Sequence, residues 1–443
     1  MNRPSEQPSV PVPLGAMQAE DIPARWAWTE PSVWTARMLT ALETGVKGGC
    51  WFSLIDKVYT KANLEAAFRK VAANGGAAGV DHQTIAKYAE HLERNLGNLG
   101  QRLREGTYRP QAVRRVYIPK PGSRDKRPLG IPTVQDRVVQ AAVRHVLEPI
   151  FERDFAEQSY GFRPGRGCKD ALRRVDALLK AGYHHVVDAD LKGYFDTIPH
   201  DKLMQRIREK ISDGRMLTLL ESFLKQGILE GLSTWTPERG SPQGAVISPL
   251  LSNIYLDRLD HAMAAEGMEM VRYADDFVIL CRSPAEAQRA LARVQEWTAA
   301  ASLTLHPEKT RVVDVREEGF DFLGYHFIRH RRSPRRKSLQ KFKEAIRAKT
   351  HRTNGRSLEA IIRDVNRSVR GWFEYFKHSC RTAFPNLDGW IRMRLRCILR
   401  RRAGQRGRGH IADHLRWPNH FFVEHGLFNL TAAHDLVSQS SRR

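Results

Sequence analysis

Two neighbouring carboxylates, Asp275 and Asp276, stand between the β-rich runs 269–273 and 277–281. The pattern predicts a hairpin with both acids at its turn. Like charges this close raise each other's pKa. A hard divalent cation removes the conflict, because Mg2+ (with Mn2+ as a substitute) takes carboxylate oxygens together with substrate phosphates. A third carboxylate is then expected at the end of an adjacent strand. Asp190 ends the predicted strand 185–191, while Asp188 shares its side-chain parity but lies deeper. Two metal ions about 3.5–4 Å apart would activate an attacking 3′-hydroxyl and stabilise a leaving pyrophosphate. An isolated Asp-Asp pair is usually an ordinary exposed turn, and it is the combination with Asp190 that points to chemistry.

The elements around these acids alternate. Helices are predicted over 61–105, with a glycine-rich loop at 74–79 that lacks the strand and the Gly-Lys-Ser/Thr ending of a P-loop. A strand at 113–118 turns through Pro119-Lys120-Pro121-Gly122-Ser123 and returns at 127–132, with basic residues near the tip. Helices follow at about 135–155, 200–211, 215–228, 248–266 and 285–301, and a short strand near 310–315. This alternation predicts an α+β fold with a split βαβ sheet. A basic loop at 329–337 reads as a domain boundary, followed by a mostly helical remainder.

Charge is unevenly placed. The 443 residues hold 72 Lys+Arg and 49 Asp+Glu, a net of +23, but residues 329–443 alone hold 28 against 8, a net of +20. Such a block neutralises phosphates and releases counterions, which predicts salt-dependent nucleic-acid binding. Aromatics interleaved with it (Trp372, Phe373, Tyr375, Phe376, Phe384, Trp390, Trp417, Phe421, Phe422 and Phe428) argue for a folded core rather than a disordered basic tail.

Other classes are excluded. No run approaches the roughly 18 apolar residues of a membrane span. The polar, proline-rich residues 1–14 lack a secretory core. The five cysteines form no CxxC pair, so a disulfide scaffold and a cysteine zinc site are not expected, and a reducing cytoplasmic setting fits.

The wider motifs resemble one family. Tyr117-Ile118-Pro119-Lys120-Pro121-Gly122, then RPLGIPT at 127–133, SYGFRPGR at 159–166, DLKGYFD at 190–196, GSPQGAVISPL at 240–250, Tyr273-Ala274-Asp275-Asp276 and Phe322-Leu323-Gly324-Tyr325 resemble bacterial group II intron-encoded reverse transcriptases, in the family's order. GWFEYF at 371–376 and WPNHFF at 417–422 resemble its maturase (thumb) region. The resemblance is to the form expected to lack the HNH endonuclease domain. The resemblance implies a right-hand polymerase: an N-terminal leader with helices (1–60), an N-terminal extension and fingers (61–183), a palm (184–328), a helical thumb/maturase domain (335–430) and a basic tail (431–443).

The resemblance also implies roles. Asp190, Asp275 and Asp276 are the catalytic carboxylates, with Asp190, Leu191 and Asp275 at the metal. Lys120 and Arg127 grip the incoming triphosphate, unless they are merely a solvated basic turn. Phe195 lies under the sugar and excludes a 2′-hydroxyl, unless it is a core aromatic. Leu191, Gln243 and Lys309 complete the nucleotide site. Tyr160, Phe162 and Arg163 shape the template path, with core packing the alternative for Phe162. Arg335, Arg336, Lys337, Arg400, Arg401 and Arg402 are expected to touch RNA. The implied partners are group II intron RNA, target DNA, an RNA template with a DNA primer, and dNTPs, with no membrane and a bacterial cytoplasmic or nucleoid setting.

The implied function is RNA-directed DNA synthesis coupled to intron splicing and target-primed mobility. A domesticated relative serving defence or repair without an intron would carry the same polymerase residues. A splicing factor with a dead polymerase would have a broken carboxylate set, and all three acids are present. An RNA-templated RNA polymerase is disfavoured by Phe195 and the family motifs.

Overall fold

The structure, a computed structural model, describes residues 21–46, 48–119, 126–329, 331–405 and 411–440. The polar leader at 1–14 and Lys120 lie outside the described residues.

The fingers are built on β1 (Val113–Pro119) and β2 (Lys126–Ile131), which pair antiparallel from Arg114–Ile131 to Pro119–Lys126. The helix Val134–Glu152 follows directly. The hydroxyl of Thr133 accepts from the Asp136 backbone N–H and caps its start. Its first and last turns, and nearly everything between, are buried.

The palm sheet comprises β3 (His185–Asp190) and a β-hairpin described below. Between them in the chain, β4 (Ile228–Glu230) and β5 (Ser233–Trp235) do not join the palm. β4 runs parallel to β1, so the finger sheet has the order β2-β1-β4-β5. The sequence reading places this segment in the palm and finds no strand there, because three-residue strands are too short to show a period of two. The palm hairpin is β6 (Glu269–Tyr273) and β7 (Asp276–Cys281), and with β8 (Arg311–Asp314) the palm order is β6-β7-β3-β8.

One face of the palm sheet carries Val187, Ala189, Phe277 and Ile279 into the main core, against the helices Ser248–Ala265 and Pro284–Ala300. The other face carries Val186, Val278, Leu280 and Val313 into a second core with the helix Cys168–Lys180. Burying each such side chain contributes about 1.5–3 kcal/mol, against about 0–1 kcal/mol for a surface ion pair, so burial holds the sheet.

The expected basic loop at 329–337 is partly a strand. β9 (Phe320–Phe322), β10 (Tyr325–Ile328) and β11 (Arg331–Pro334) form an antiparallel sheet of order β11-β10-β9. The arginines of β11 hide its pairing from a hydropathy pattern. Phe320, Phe322, Tyr325 and Phe327 cover the second palm core.

Beyond it the chain is helical. In Leu358–Phe376, Ser357 caps the start by accepting from the Ala360 N–H, and Leu358, Ile361, Ile362, Val365, Val369, Phe373 and Phe376 form a helical apolar stripe. The stripe from Leu358 to Phe373, with Phe342, Phe384, Leu395 and Phe422, makes a third core under the basic surface, while Phe376 joins the second palm core. Trp372 touches both this core and the palm's, joining thumb to palm. No described helix is long and apolar enough to cross a membrane.

Candidate active site

Pairing of the palm strands assembles the carboxylates. Asp190, the last residue of β3, lies directly opposite Asp276, the first residue of β7. Tyr273 also pairs with Asp276, so Ala274 and Asp275 form a two-residue loop. Of these two, only Ala274 has a positive φ, 60°. Asp188 lies opposite Val278, on the same face as Asp190.

The acids are held against their charge preference. Burial, reinforced by Asp188, Asp275 and Asp190, pushes the Asp276 carboxyl up to about 7. Burial also raises Asp275, with Asp190 adding to the effect and Arg127 and Arg272 opposing it. Asp188 is pushed up to about 6 by burial, against the pull of Arg311. Lys309 Nζ lies 2.5 Å from Asp190 Oδ2, supplying a cation where the acids converge.

Among the described residues no three His, Cys, Asp or Glu side chains are grouped so that they could hold a metal ion by themselves. Asp190, Asp275 and Asp276 are instead half-buried at one end of the palm sheet. That fits a hard divalent ion completing its shell with water and substrate phosphates rather than an all-protein cage. Asp190, Asp275 and Asp276 are the residues that would hold it. Leu191, next in the chain after Asp190, lies in the main core, 3% exposed, so its side chain offers no donor and only its backbone carbonyl has the chemistry of a ligand.

Three of the expected nucleotide residues, Arg127, Phe195 and Gln243, lie on segments stitched to one another. The Gly130 N–H donates to the Gln243 carbonyl (2.6 Å), and the Ser241 N–H donates to the Phe195 carbonyl (2.7 Å). Gly244, at φ 108°, lies so close that a Cβ there would meet the Gly130 carbonyl at 2.6 Å. The strand of Arg127, the loop of Gln243 and the turn of Phe195 therefore share backbone contacts. Arg127 is exposed and its charge reaches Asp275. Phe195 is half-buried, edge-on to Tyr194 at 5.4 Å.

The template-path residues divide. Phe162 is exposed, at φ 60°, with its ring 6.3 Å from that of Tyr273. Tyr160 is half-buried beneath the Arg166 guanidinium, 5.7 Å away. Arg163 is not a surface cation. Its guanidinium is buried, forks to Glu152 and donates to the Ala156 and Ser159 carbonyls, which makes it a brace of its own loop. The basic set divides too. Arg336, Lys337, Arg401 and Arg402 are exposed and Arg335 is half-buried. Arg400 is largely inside, 3.0 Å from the buried Asp413, and Arg402 donates to the Asn354 carbonyl.

Sequence reasoning passed over Gly161 and Arg272. A Cβ on Gly161 would lie 2.3 Å from the Ala274 nitrogen, so only glycine lets this loop close on the carboxylate turn. Arg272 is a charge inside an otherwise buried run, and that oddity was its signal.

Comparisons with known proteins agree with this geometry. Residues 118–327 match the family described as "Reverse transcriptase (RNA-dependent DNA polymerase)", and residues 339–417 match "Group II intron, maturase-specific domain". Protein YkfC of Escherichia coli (strain K12) is 34% identical over 348 residues, covering 70% of this chain and 87% of that protein. Group II intron-encoded protein LtrA of Lactococcus lactis subsp. cremoris is 42% identical over 216 residues, covering 46% of this chain but 35% of LtrA. A solved partial Cas6-RT-Cas1–Cas2 complex overlays at TM-score 0.37 with 25% identity, over 56% of this chain and 41% of that one, too loosely to carry an argument. With the reverse transcriptase and maturase regions in sequence on one chain, and YkfC matched over most of its length, this chain belongs to the group II intron-encoded reverse transcriptases (RNA-dependent DNA polymerases) that carry a maturase domain.

Proposed function

We propose that this chain copies RNA into DNA at the Asp190–Asp275–Asp276 edge and grips group II intron RNA with its basic helical region, assisting splicing and then target-primed DNA synthesis during intron mobility. The observation that carries the polymerase site is the direct pairing of Asp190 with Asp276 beside the Asp275 loop. Two Mg2+ ions, or Mn2+, would supply Lewis-acid activation of the primer 3′-hydroxyl and charge neutralisation on the pyrophosphate. Asp190, Asp275 and Asp276 hold that charge in place, with Leu191 contributing its backbone. Arg127 and Lys120 bind the dNTP phosphates, the arginine by its fork and the lysine as a point charge. Phe195 packs under the deoxyribose and leaves no room for a 2′-hydroxyl. Gln243 borders the base pair being formed, and Lys309 lies beside the reacting acids.

Tyr160 and Phe162 guide the template, while Arg336, Lys337 and Arg401 contact RNA phosphates. RNA of this kind is recognised chiefly by shape and backbone. The partners are then the intron RNA, target DNA, an RNA template with a DNA primer, and dNTPs, met in the bacterial cytoplasm and at the nucleoid. Primer extension on an RNA template tests the site. Asp275→Asn should abolish nucleotide addition while RNA affinity stays unchanged, and retained extension would remove these acids from the chemistry.

A further inference from the structure

Arg272 lies on β6, and its side chain faces the opposite side of the sheet from Val271 and Tyr273, which belong to the second palm core. It is fully enclosed, as is its partner Asp260, both 0% exposed. Nε donates to Asp260 Oδ1 at 2.7 Å, and Nη2 donates to Asp260 Oδ2. Nη2 also donates to Ser159 Oγ (2.8 Å), and Nη1 to Asn253 Oδ1 (3.0 Å). The remaining bond runs from Nη1 to the carbonyl of Ala274, at 2.9 Å.

That carbonyl belongs to the peptide joining Ala274 to Asp275. Gripping it sets the plane from which the Asp275 Cα hangs. Ala274 needs such a grip, because a left-handed conformation is strained for a non-glycine residue and persists only where its surroundings impose it. The other side of the turn is closed by Gly161, whose carbonyl accepts from Asn253 Nδ2 at 2.8 Å. Asn253 and Asp260 lie two turns apart on one helix, so a rigid element carries both anchors.

Stability alone does not call for this arrangement. A buried ion pair can often be replaced by apolar side chains of similar volume at no loss. An apolar side chain cannot donate to the Ala274 carbonyl. We infer that Arg272 is a positioning residue: clamped by Asp260, Asn253 and Ser159, it holds the Ala274–Asp275 peptide so that the Asp275 carboxylate presents to the reaction. This rests on the reading of Asp275 given above.

The test uses the full chain, a homopolymeric RNA template with a DNA primer, and four variants. Arg272→Lys keeps a charge for Asp260 but cannot span the remaining acceptors. Its kcat should fall about 10–100-fold, the scale of a misplaced reacting group. Its KM for dNTP and its RNA affinity should stay within about twofold, the signature of a contribution made only in the transition state. The Mg2+ concentration giving half-maximal rate should rise. Arg272→Met/Asp260→Leu removes both buried charges together, so it should still melt cooperatively yet show the same loss of kcat. Arg272→Lys/Ala274→Gly should recover at least about threefold in kcat, because glycine adopts a positive φ without strain.

Parental kcat in Arg272→Lys, or in a folded Arg272→Met/Asp260→Leu, would overturn the inference. So would the loss of cooperative melting in every Arg272 variant, which would assign the residue to the fold alone. Asp275→Asn separates the two layers. If it is active, the carboxylate reading fails. If it is inactive while Arg272→Lys matches the parent, only the positioning role fails.

Discussion

Lys309 and Asp190, 119 positions apart in the chain, meet at 2.5 Å across the end of the palm sheet. The lysine is 61% exposed, so solvent screens the pair and its worth is at most about 1 kcal/mol. It still occupies the oxygen that a metal ion would want. Lys309→Met should therefore tighten Mn2+ binding in the absence of nucleotide by about two- to fivefold, the fold-change that such an energy permits. Isothermal titration with Mn2+ alone reads this directly, and unchanged or weaker affinity would show that the lysine does not compete for the site.

Phe195 gives a second handle. Its backbone is tied to the loop before Gln243, so a side-chain change should leave that tie intact. Phe195→Ala should raise the use of ribonucleotides relative to deoxynucleotides by at least about tenfold, equivalent to 1.4 kcal/mol of lost discrimination. Competing rNTP and dNTP incorporation on one template measures the ratio, and an unchanged ratio removes the ring from sugar selection.

The basic surface should separate by burial. Arg336 and Lys337 are exposed, whereas Arg400 is paired with Asp413, itself 3% exposed. Replacing Arg336 and Lys337 by Gln should flatten the slope of log affinity against log salt by about 1.4, at roughly 0.7 per single-stranded phosphate contact. Arg400→Gln should leave that slope alone and lower the melting temperature instead, because it takes a charged partner from a buried carboxylate. Filter binding across a salt series, with thermal melts, distinguishes the two.

Stability should depend on pH through His145. Its Nδ1 lies 2.8 Å from Asn63 Oδ1, and burial, aided by Lys70 and Arg144 and opposed by Glu30, pushes its pKa down to about 4. The unfolded imidazole takes a proton near pH 6.5 while the folded one resists until about pH 4. The unfolded state therefore binds more protons across that window, and stability falls on acidification by up to about 1.4 kcal/mol per pH unit from this residue. The raised Asp276 and Asp188 act with the opposite sign, so the test is a difference. On going from pH 7 to pH 5 the urea midpoint of His145→Gln should move in the stabilising direction relative to that of the parent, and equal movements would exclude this residue.

Much of this molecule is readable from residue order, for physical reasons. The Asp-Asp turn is followed by the unbroken apolar run 277–281 and preceded by the β-rich run 269–273, so the strands carrying it announce themselves, and the observed β6 and β7 match the expected hairpin. The helices at 134–152 and 284–300 carry clear caps and periodicity. β4, β5 and β11 escaped because three or four residues cannot display alternation and because arginine or exposed side chains fill them. Arg163 and Arg272 escaped for another reason. Composition counts them as charge available to nucleic acid, while tertiary pairing with Glu152 and Asp260 places both inside. Gly161 needed the Ala274 backbone beside it before its missing side chain had meaning.

The parallel pairing of β4 with β1, Val113 against Ile228, bears on how the chain is made. The finger hairpin leaves the ribosome long before its third strand. In the interval its edge is unpaired, and the palm strand β3 has likewise been synthesised without β7 or β8. Neither sheet can close until more than half of the polypeptide is available, so both depend on distant contacts whose loop closure slows folding. Nascent chains of this protein thus pass through a stage with two open β edges, the kind of exposed pairing surface that invites association with other chains.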